Sequence, residues 1–255
     1  YFVASWQNDS LHESAGIYAN ELGYKNAYIL APNYQAGKDS LAGFKRFFKG
    51  EIAGETYTKL GQTDYAAEIA KIRDANPDMV FHFLPGGMGI NFLKQYSQAG
   101  LKDKYPLVVS TASMDEKIMG AVKDAAVGVR STSHWSVWLD NAANKAFVEG
   151  FKKAYNRVPT VYASQGYDTA KLIASALKAT GGKVSADKDG FRAALKTADF
   201  ESVRGEFRLA NNNHPMNDWL GQVVEKQADG TIVNKIVKVV AESHKDAYAE
   251  QCPLK

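Results

Sequence analysis

The residues that could do chemistry are scattered along this chain of 255 residues instead of being grouped. Its histidines are His12, His82, His134, His214 and His244. They lack the i, i+4 or short-loop spacing of metal ligands, so no zinc or iron site is predicted. The serines lack the flanking glycines of a nucleophile elbow, and the acids are spread along solvent faces. The pattern predicts neither a metal nor a catalytic constellation and favours binding over catalysis.

A glycine cluster follows the most apolar run of the sequence. Gly87-Met88-Gly89 comes after Met79 to Leu84, but the third glycine of a dinucleotide fingerprint would fall at Phe92. The acidic residue expected about 20 positions further on is also missing, and there is no Walker A pattern. No nucleotide or other cofactor is therefore predicted. We expect these glycines to allow a sharp turn or a close approach of the backbone to a ligand.

Aromatic residues collect where predicted strands end or cross: Trp6, Tyr34, Trp135 and Trp138. A flat apolar face with a polar edge suits a small ligand. The alternative is that each ring fills the core beside a loop. The sequence leaves both interpretations open.

The turn that carries Tyr34 joins a strand to a helix. The apolar run Ala27 to Ala31 predicts the strand, and the spacing of Leu41, Phe44 and Phe48 predicts the helix. Ligands bind at this edge in open parallel sheets, where helix N–H groups and loop side chains converge. Tyr34 is therefore the main candidate for a ligand contact.

Further strand and helix units follow in the same order. Met79 to Leu84 reads as a central parallel strand, and Leu107 to Ser110 as another strand followed by a short helix capped by Asp115. Each strand leaves room for one helix before the next. This alternation predicts an α/β fold built from βαβ units.

The second half of the chain changes character. Helices are predicted at Asn141 to Tyr155, Tyr162 to Ala179 and Lys188 to Ala198, with no clear strand between them. Their sheet must therefore come from elsewhere. A strand at Gly205 to Leu209 and a hairpin of Trp219 to Glu225 with Ile232 to Val239 complete the prediction.

The first 13 residues predict a strand and, after it, the beginning of a helix. Tyr1 to Ser5 is mostly apolar and reads as a strand. Ser10 and Glu13 have the spacing of a capping box, which predicts that a helix begins there. The chain opens without an initiator Met or a leader, so we expect a processed product or a fragment.

The charge balance argues against some partners. The net charge is +3 with a pI near 8.7, and basic and acidic residues are interleaved. Nucleic-acid binding gets no support, and no apolar run reaches the roughly 20 residues of a membrane helix. Cys252 is the lone cysteine, so in an exported protein its partner would lie outside this chain.

Several motifs together resemble one family. They are Tyr-Phe-Val-x-x-Trp-Gln-Asn-Asp at the start, Asn33-Tyr34-x-x-Gly37-Lys38, Asn76-Pro77-Asp78-Met79-Val80-Phe81, Gln98-Ala99-Gly100-Leu101 and Tyr162-x-x-x-Gly166-Tyr167-Asp168-x-Ala170. Their order and spacing resemble the branched-chain amino-acid (Leu/Ile/Val) type of periplasmic solute-binding protein over essentially the whole chain. The resemblance implies the type I periplasmic-binding-protein fold, in which two Rossmann-like lobes are joined by hinge strands. It also implies a receptor that captures ligand between the lobes by hinge closure and delivers it to an ABC permease in the inner membrane.

The resemblance also implies a division of the chain. Residues 1–8 would be a hinge strand and 9–133 a complete α/β ligand-binding lobe. Residues 134–216 would be the remaining part of the other lobe, and 217–255 a return hinge with C-terminal strands of the complete lobe. Mature members are longer, and their first hundred-odd residues, which build most of one lobe, have no counterpart here. The full-length protein is expected to be a periplasmic monomer.

Site residues follow from the same resemblance. Tyr34 would stack on the ligand, with Leu84 to Gly86 and Thr111-Ala112 as cleft loops of its lobe and Tyr162 approaching from the other. The candidate ligand contacts are Trp6, Asn8, Tyr34, Leu84, Pro85, Gly86, Thr111, Ala112, Trp135 and Tyr162.

One departure bears on the ligand. Amino-acid receptors of this type hold the ammonium with an acid in the loop after the fourth strand, but Ser110 to Ser113 contains none. An unpaired buried ammonium is costly, so an α-amino acid is a poorer ligand than a neutral-sided or carboxylic one. The Trp6-Gln7-Asn8-Asp9 start, the Asn33-Tyr34 turn and the Gln251-Cys252-Pro253 tail resemble the branch that binds aromatic carboxylates such as hydroxycinnamate or benzoate. The alternatives are an amino-acid receptor, a ligand sensor or regulator on the same fold, and a small α/β enzyme.

Overall fold

The computed structural model describes residues 1–254, which form two compact units. The sheet unit comprises Asn8–Ser133 and Trp219–Ala241. The helical unit comprises Tyr1–Gln7, His134–Asp218 and residues 242–254.

Helices and strands alternate along the sheet unit. Its helices are α1 (Asn8–Glu21), α2 (Gln35–Phe47), α3 (Ala66–Ala75), α4 (Gly87–Gln98) and α5 (Glu116–Val122). Its strands are β1 (Asn26–Pro32), β2 (Glu51–Thr58), β3 (Met79–His82), β4 (Val108–Ser110) and β5 (Arg130–Ser133). Two long strands that return through this unit are β7 (Pro215–Lys226) and β8 (Ile232–His244). The predicted α/β fold is confirmed.

The first five strands run parallel. β1 lies between β2 and β3, and a parallel bridge from Val80 to Leu107 links β3 to the segment that enters β4. β4 pairs with β5, which pairs antiparallel with β7, and β8 pairs with β7. The order is that of a doubly wound sheet, so the carboxyl ends of β1, β3 and β4 lie at one edge.

Burial explains why these segments form the sheet. Ile29 and Leu30 of β1 and Phe81 of β3 have no exposed surface, as expected of strands covered on both faces. Leu41 and Phe44 bury one face of α2 against them. At Gly37, an added Cβ would lie 1.9 Å from the Pro32 carbonyl oxygen, so this tight strand-to-helix turn requires glycine.

The amino end of the chain differs from the prediction. Tyr1–Gln7 contains no strand, and α1 begins at Asn8, not at Ser10. Glu13 is fully buried and forms an ion pair with Arg46 of α2. The predicted capping box is therefore wrong, because Ser10 and Glu13 lie inside α1 and not at its start.

The helical unit holds the consecutive helices that the sequence predicted. They are α6 (Ala142–Tyr155), α7 (Val161–Ala179) and α8 (Lys188–Thr197). Of the strand predicted at Gly205 to Leu209, β6 (Arg208–Leu209) forms, and it pairs with Pro215 and Met216 of β7. Over residues 1–254, this unit contains no parallel strand pair. None of the helices described is long and apolar enough to cross a bilayer.

Candidate ligand-binding site

The topology of the sheet unit singles out one edge. The chain runs from β1 to β2 on one side and then crosses to β3 on the other, so the strand order reverses between β1 and β3. A crevice opens at the carboxyl ends of the strands at such a switch point, and ligands bind there. We define the rim loops as Asn33-Tyr34, Phe83–Gly86 and Thr111–Ser113, which follow β1, β3 and β4.

Tyr34 stands at this switch point. It precedes α2 in an extended conformation, and its backbone N–H donates to the Pro32 carbonyl at 2.9 Å. Its ring stacks on Phe83, with centroids 6.3 Å apart and planes 13° from parallel. Partial burial raises the pKa of the Tyr34 phenol, which therefore stays protonated at neutral pH. The half-buried ring joins the loops after β1 and β3.

Ser113 joins the loops after β3 and β4. The Leu84 N–H donates to its hydroxyl oxygen at 3.1 Å, and the hydroxyl donates to the His82 carbonyl at 3.2 Å. Thr111 and Ala112 lie in the same 3-10 turn and are each 4% exposed. The three rim loops thus lie at one edge of the sheet, with little of Thr111 or Ala112 open to solvent.

The loop after β3 is more accessible at its far end. Leu84 is fully buried, Pro85 is half-buried and Gly86 is exposed with φ of 60°. An added Cβ at Gly89 would lie 2.2 Å from the Leu84 carbonyl oxygen. The glycine that resembled a nucleotide motif is therefore explained by packing of α4 on its own loop.

Asn8 opens α1 beside the start of α2. Its amide nitrogen donates to the Ala36 carbonyl at 3.1 Å and approaches a carboxylate oxygen of Asp39 at 3.5 Å. Gln35 also donates to Asp39, at 2.7 Å. Asn8 therefore holds the turn that carries Tyr34, and its predicted ligand contact stays a prediction.

Two buried histidines, one on α1 and one at the end of β3, lie behind the rim loops. His12 of α1 packs its ring edge against Phe83 at 4.8 Å, and its Nδ1 lies 3.0 Å from the Ser110 hydroxyl. His82 packs against Phe92 on the other face, and neither of its ring nitrogens has a partner among residues 1–254. Burial lowers the pKa of each histidine to about 3. In His12 the nearby Asp9 raises the pKa, but this effect is smaller than that of burial. Both rings are therefore neutral at ordinary pH.

Three acidic groups on the helices that border the rim loops have partners. Asp9 pairs with Arg46 at 3.0 Å, and Asp39 accepts from Gln35. Asp115 is buried and accepts from the Ile118 N–H at 2.8 Å, which confirms the predicted cap of α5. Burial raises the pKa of Asp115, and hydrogen bonds from the backbone oppose that rise. No group of three His, Cys, Asp or Glu in the described part of the chain is arranged to hold a metal.

The other predicted contacts lie in the helical unit. Trp6 is half-buried, with its ring 5.5 Å from His134 and 5.8 Å from Tyr162, which is exposed. Trp135 is 1% exposed, and its indole N–H donates to Asn144 at 2.8 Å. In this structure Trp135 is a core residue, which disfavours its predicted ligand contact because neither its face nor its polar atom is available.

A buried ion pair ties the helical unit together. Arg204 Nε lies 3.2 Å from Asp168 Oδ2, and both side chains are almost fully buried. The guanidinium also donates to the Ala4 and Ser5 carbonyls and to Asn217. Burial lowers the pKa of Arg204 to about 10 against the opposing effect of Asp168. Since its donors are used within the unit, Arg204 anchors the amino-terminal segment and is not a free anion site.

Sequence reasoning missed Phe83, Ser113 and His12 as supports of the rim. Phe83 belongs to an apolar run that was read as buried strand, and β3 ends one residue earlier, at His82. The alternation of side chains along a strand would have placed Phe81 and Phe83 on one face. No sequence signal identifies the Ser113 link, because it joins loops 29 residues apart.

The fold and the rim define a class of protein: a doubly wound α/β protein with a candidate ligand site at the strand-order reversal. The sequence model of a family described as periplasmic binding protein matches residues 1–230. The chain belongs to this family.

Curated relatives agree with this assignment. The Leu/Ile/Val-binding protein homolog 6 of Brucella melitensis is 30% identical over 230 residues, which cover 86% of this chain and 58% of the relative. The homologue in Brucella abortus gives the same identity and coverage. The chain therefore spans somewhat more than half the length of these relatives.

Solved structures extend the comparison. An ABC-transporter solute-binding protein of Rhodopseudomonas palustris in complex with benzoate matches with a TM-score of 0.90 and 31% sequence identity. The match covers 99% of this chain and 68% of the Rhodopseudomonas palustris chain. Another from strain BisB5, in complex with 3,4-dihydroxybenzoic acid, has a TM-score of 0.86 and 33% identity, with coverage of 96% and 68%. The fold is that of the type I periplasmic binding proteins, as predicted.

Proposed function

We propose that this chain is the ligand-binding part of an extracytoplasmic receptor of an ABC importer, and that its ligand is a small aromatic carboxylate. The stacking of Tyr34 on Phe83 at the switch point carries the proposal. Together the rings support a flat apolar wall, and an aromatic guest stacks on such a wall more favourably than an aliphatic side chain does. The receptor would hand the ligand to a membrane permease.

The carboxylates of the sheet unit favour an acid over an amino acid. An α-amino acid needs an acceptor for its ammonium, and leaving a buried charge unpaired is costly. Asp9, Asp39 and Asp115 are already engaged by Arg46, Gln35 and the start of α5. The bound molecules named for the two Rhodopseudomonas palustris proteins, benzoate and 3,4-dihydroxybenzoic acid, are aromatic acids.

An amino-acid receptor is the second candidate, because the curated relatives are named Leu/Ile/Val-binding homologues. Asp39 would then have to accept from the ammonium in addition to Gln35, since its carboxylate is half-exposed and Gln35 is neutral. Asp39→Asn would abolish leucine binding under this alternative and leave benzoate binding intact under the aromatic-acid proposal.

Calorimetric titration of the chain with benzoate, 4-hydroxybenzoate, leucine and glucose tests the proposal. We expect the two aromatic acids to bind and leucine and glucose to give no heat above dilution. Chromatography of the recovered ligand should return it unchanged, as expected of a receptor. Binding of leucine but not benzoate would support the second candidate, and conversion of a bound acid would point to an enzyme.

A further inference from the structure

Met88 of the sheet unit contacts a neighbouring loop through its sulfur. It lies in the first turn of α4, and its Sδ accepts a hydrogen bond from the Gly61 N–H at 3.3 Å. Gly61 belongs to the segment between β2 and α3, which we name the β2–α3 loop and define as residues 59–65. A thioether is a weak acceptor, so this contact depends closely on the chemical state of the sulfur.

A second side chain of α4 holds the far end of the same loop. The Gln95 side-chain oxygen accepts from the Tyr65 N–H, and its nitrogen donates to the Thr63 carbonyl, each at 2.8 Å. The β2–α3 loop is therefore fastened to α4 at two places. Of these two contacts, the one from Met88 involves an oxidisable atom.

Met88 is more accessible than the other methionines of the sheet unit. It is half-buried and packs against the apolar core, while its contact with Gly61 lies at the surface. Met79 and Met114 have no exposed surface, and Met119 is 7% exposed. Peroxides reach a methionine sulfur from solvent, so within this unit Met88 should be oxidised first.

We propose that Met88 is a reversible oxidation site whose sulfoxide releases the β2–α3 loop from the start of α4. Hydrogen peroxide transfers one oxygen atom to a lone pair of the sulfur, its O–O bond breaks, and the second oxygen leaves as water. The sulfur loses two electrons and the peroxide gains them. A dithiol reverses the step, since it is oxidised to a disulfide while the sulfoxide oxygen leaves as water.

A sulfoxide at Met88 does not keep the present contact. Its sulfur carries a partial positive charge and no longer accepts from the Gly61 N–H. The separation of 3.3 Å also leaves no room for an oxygen atom between the sulfur and the nitrogen. Gly61 has φ of 79°, and nothing lies within 4 Å of the place a Cβ would take. This part of the loop can therefore move outward, while Gln95 still holds the other end.

The released part of the loop adjoins the rim loops. The Thr58 carbonyl, directly before it, accepts from the Asn33 N–H at 2.8 Å, next to Tyr34. Met88 itself lies two residues after Gly86. This further step rests on the proposed function: oxidation of Met88 shifts the rim and weakens benzoate binding about threefold, as expected for the loss of one hydrogen bond.

Peptide mass spectrometry after brief treatment of the chain with hydrogen peroxide tests the proposal. We expect sulfoxide to form at Met88 about tenfold faster than at the buried Met79. In the oxidised chain, hydrogen exchange should be faster at the Gly61 amide and unchanged at the Tyr65 amide. Methionine sulfoxide reductase with dithiothreitol should restore the slow exchange at Gly61, and benzoate affinity should fall and recover with it.

Two variants serve as controls. Met88→Leu conserves the volume of the side chain and removes its sulfur, so fast exchange at Gly61 and lowered affinity should be present from the start and should not respond to peroxide. Met216→Leu removes a half-buried methionine of the helical unit and should respond to peroxide like the parent chain.

Equal rates of oxidation at Met88 and Met79 would overturn the proposal. So would a Gly61 amide that exchanges no faster after oxidation. A further loss of affinity in peroxide-treated Met88→Leu would refute the effect of Met88 on binding, since another residue would then cause it. A parent chain that binds no aromatic acid would refute the proposed function, while the oxidation rates and the exchange at Gly61 would still decide whether Met88 is the oxidation site.

Discussion

The rings of Tyr34 and Phe83 lie within 13° of parallel, 6.3 Å apart, and join the loops that follow β1 and β3. These two strands lie on either side of the point where the strand order reverses. Phe83 is 5% exposed and is backed by His12, whose own Nδ1 lies 3.0 Å from Ser110. The accessible ring is therefore Tyr34, and the groups behind it fix its orientation.

Phe83→Leu should weaken benzoate binding by about 0.5–1.5 kcal/mol, because it removes the stacking partner that orients Tyr34. Calorimetry on Phe83→Leu, Tyr34→Ala and the double variant checks this. The two losses should not add, since both residues act through one stack. Phe81→Leu is the matched control, because Phe81 lies two residues earlier, in β3, and is stacked on Phe44 at 4.3 Å. It should lower stability and leave affinity unchanged, and equal loss of affinity in both variants would contradict the account.

Acid should destabilise the sheet unit through His82. Its pKa is about 3 in the folded chain against an ordinary value of 6.5, so the unfolded state takes up the proton first as the pH falls. The stability contributed by the neutral ring is complete above about pH 6.5 and is lost progressively towards pH 3. The expected loss is about 1.4 kcal/mol per pH unit within that window. His12 should behave in the same way, since its pKa is also about 3.

Urea unfolding of the parent chain and of His82→Leu, compared from about pH 7 to about pH 4, measures this contribution. The carboxylates titrate in both proteins, so the difference between the two curves isolates the histidine. The free energy of unfolding of His82→Leu should fall less steeply with decreasing pH. Parallel curves would show that His82 does not resist protonation in the folded state.

The Asp168 and Arg204 pair should be required for the helical unit to fold. Removing one partner leaves the other charge buried without compensation, so Arg204→Met should cost about 3–5 kcal/mol in unfolding free energy. Arg204→Met/Asp168→Leu should recover part of that loss. Recovery should be incomplete, because Asp168 also accepts from Ser202 and from the Val203 N–H at 3.1 Å.

An exposed ion pair provides the comparison for this prediction. Arg192 and Asp189 are paired on α8 with side chains 63% and 95% exposed, so Arg192→Met should change stability little. Thermal unfolding followed by circular dichroism compares the parent chain with Arg204→Met, Arg204→Met/Asp168→Leu and Arg192→Met. An Arg204→Met variant as stable as Arg192→Met would mean that the buried pair does not hold the amino-terminal segment in place.

The sequence predicted the sheet unit well because its signals are local. The unbroken apolar run of β3, the turn after β1 and the Asp115 cap each depend on a few adjacent residues, and each is present in the structure. The first residues were predicted poorly. Tyr1 to Ser5 has the composition of a strand, but such a segment needs a strand partner. Its observed contacts include the hydrogen bond from the Val3 N–H to Asn213 and those from Arg204.

The site was predictable in its loops but not in its supports. Parallel strands deliver their following loops to one edge, so Tyr34 could be placed there from the strand and helix pattern, whereas Leu84 and Thr111 were placed there by the family resemblance. The stack of Phe83 on Tyr34 and the Ser113 link depend on packing between distant segments, which periodicity does not encode. The burial of Trp135 was not predictable for a related reason: a tryptophan beside a turn has the same local pattern whether it faces solvent or, as here, donates to Asn144 in the core.

The most direct measurement is the benzoate affinity of Tyr34→Ala beside Tyr34→Phe and Tyr24→Ala. Tyr24 precedes β1 and lies at the opposite edge of the sheet from Tyr34, so it controls for loss of a tyrosine. We expect Tyr34→Ala to weaken binding by about 1–3 kcal/mol, while Tyr34→Phe and Tyr24→Ala bind like the parent chain. Unchanged affinity in Tyr34→Ala would contradict the central claim that the ring at the switch point holds the ligand.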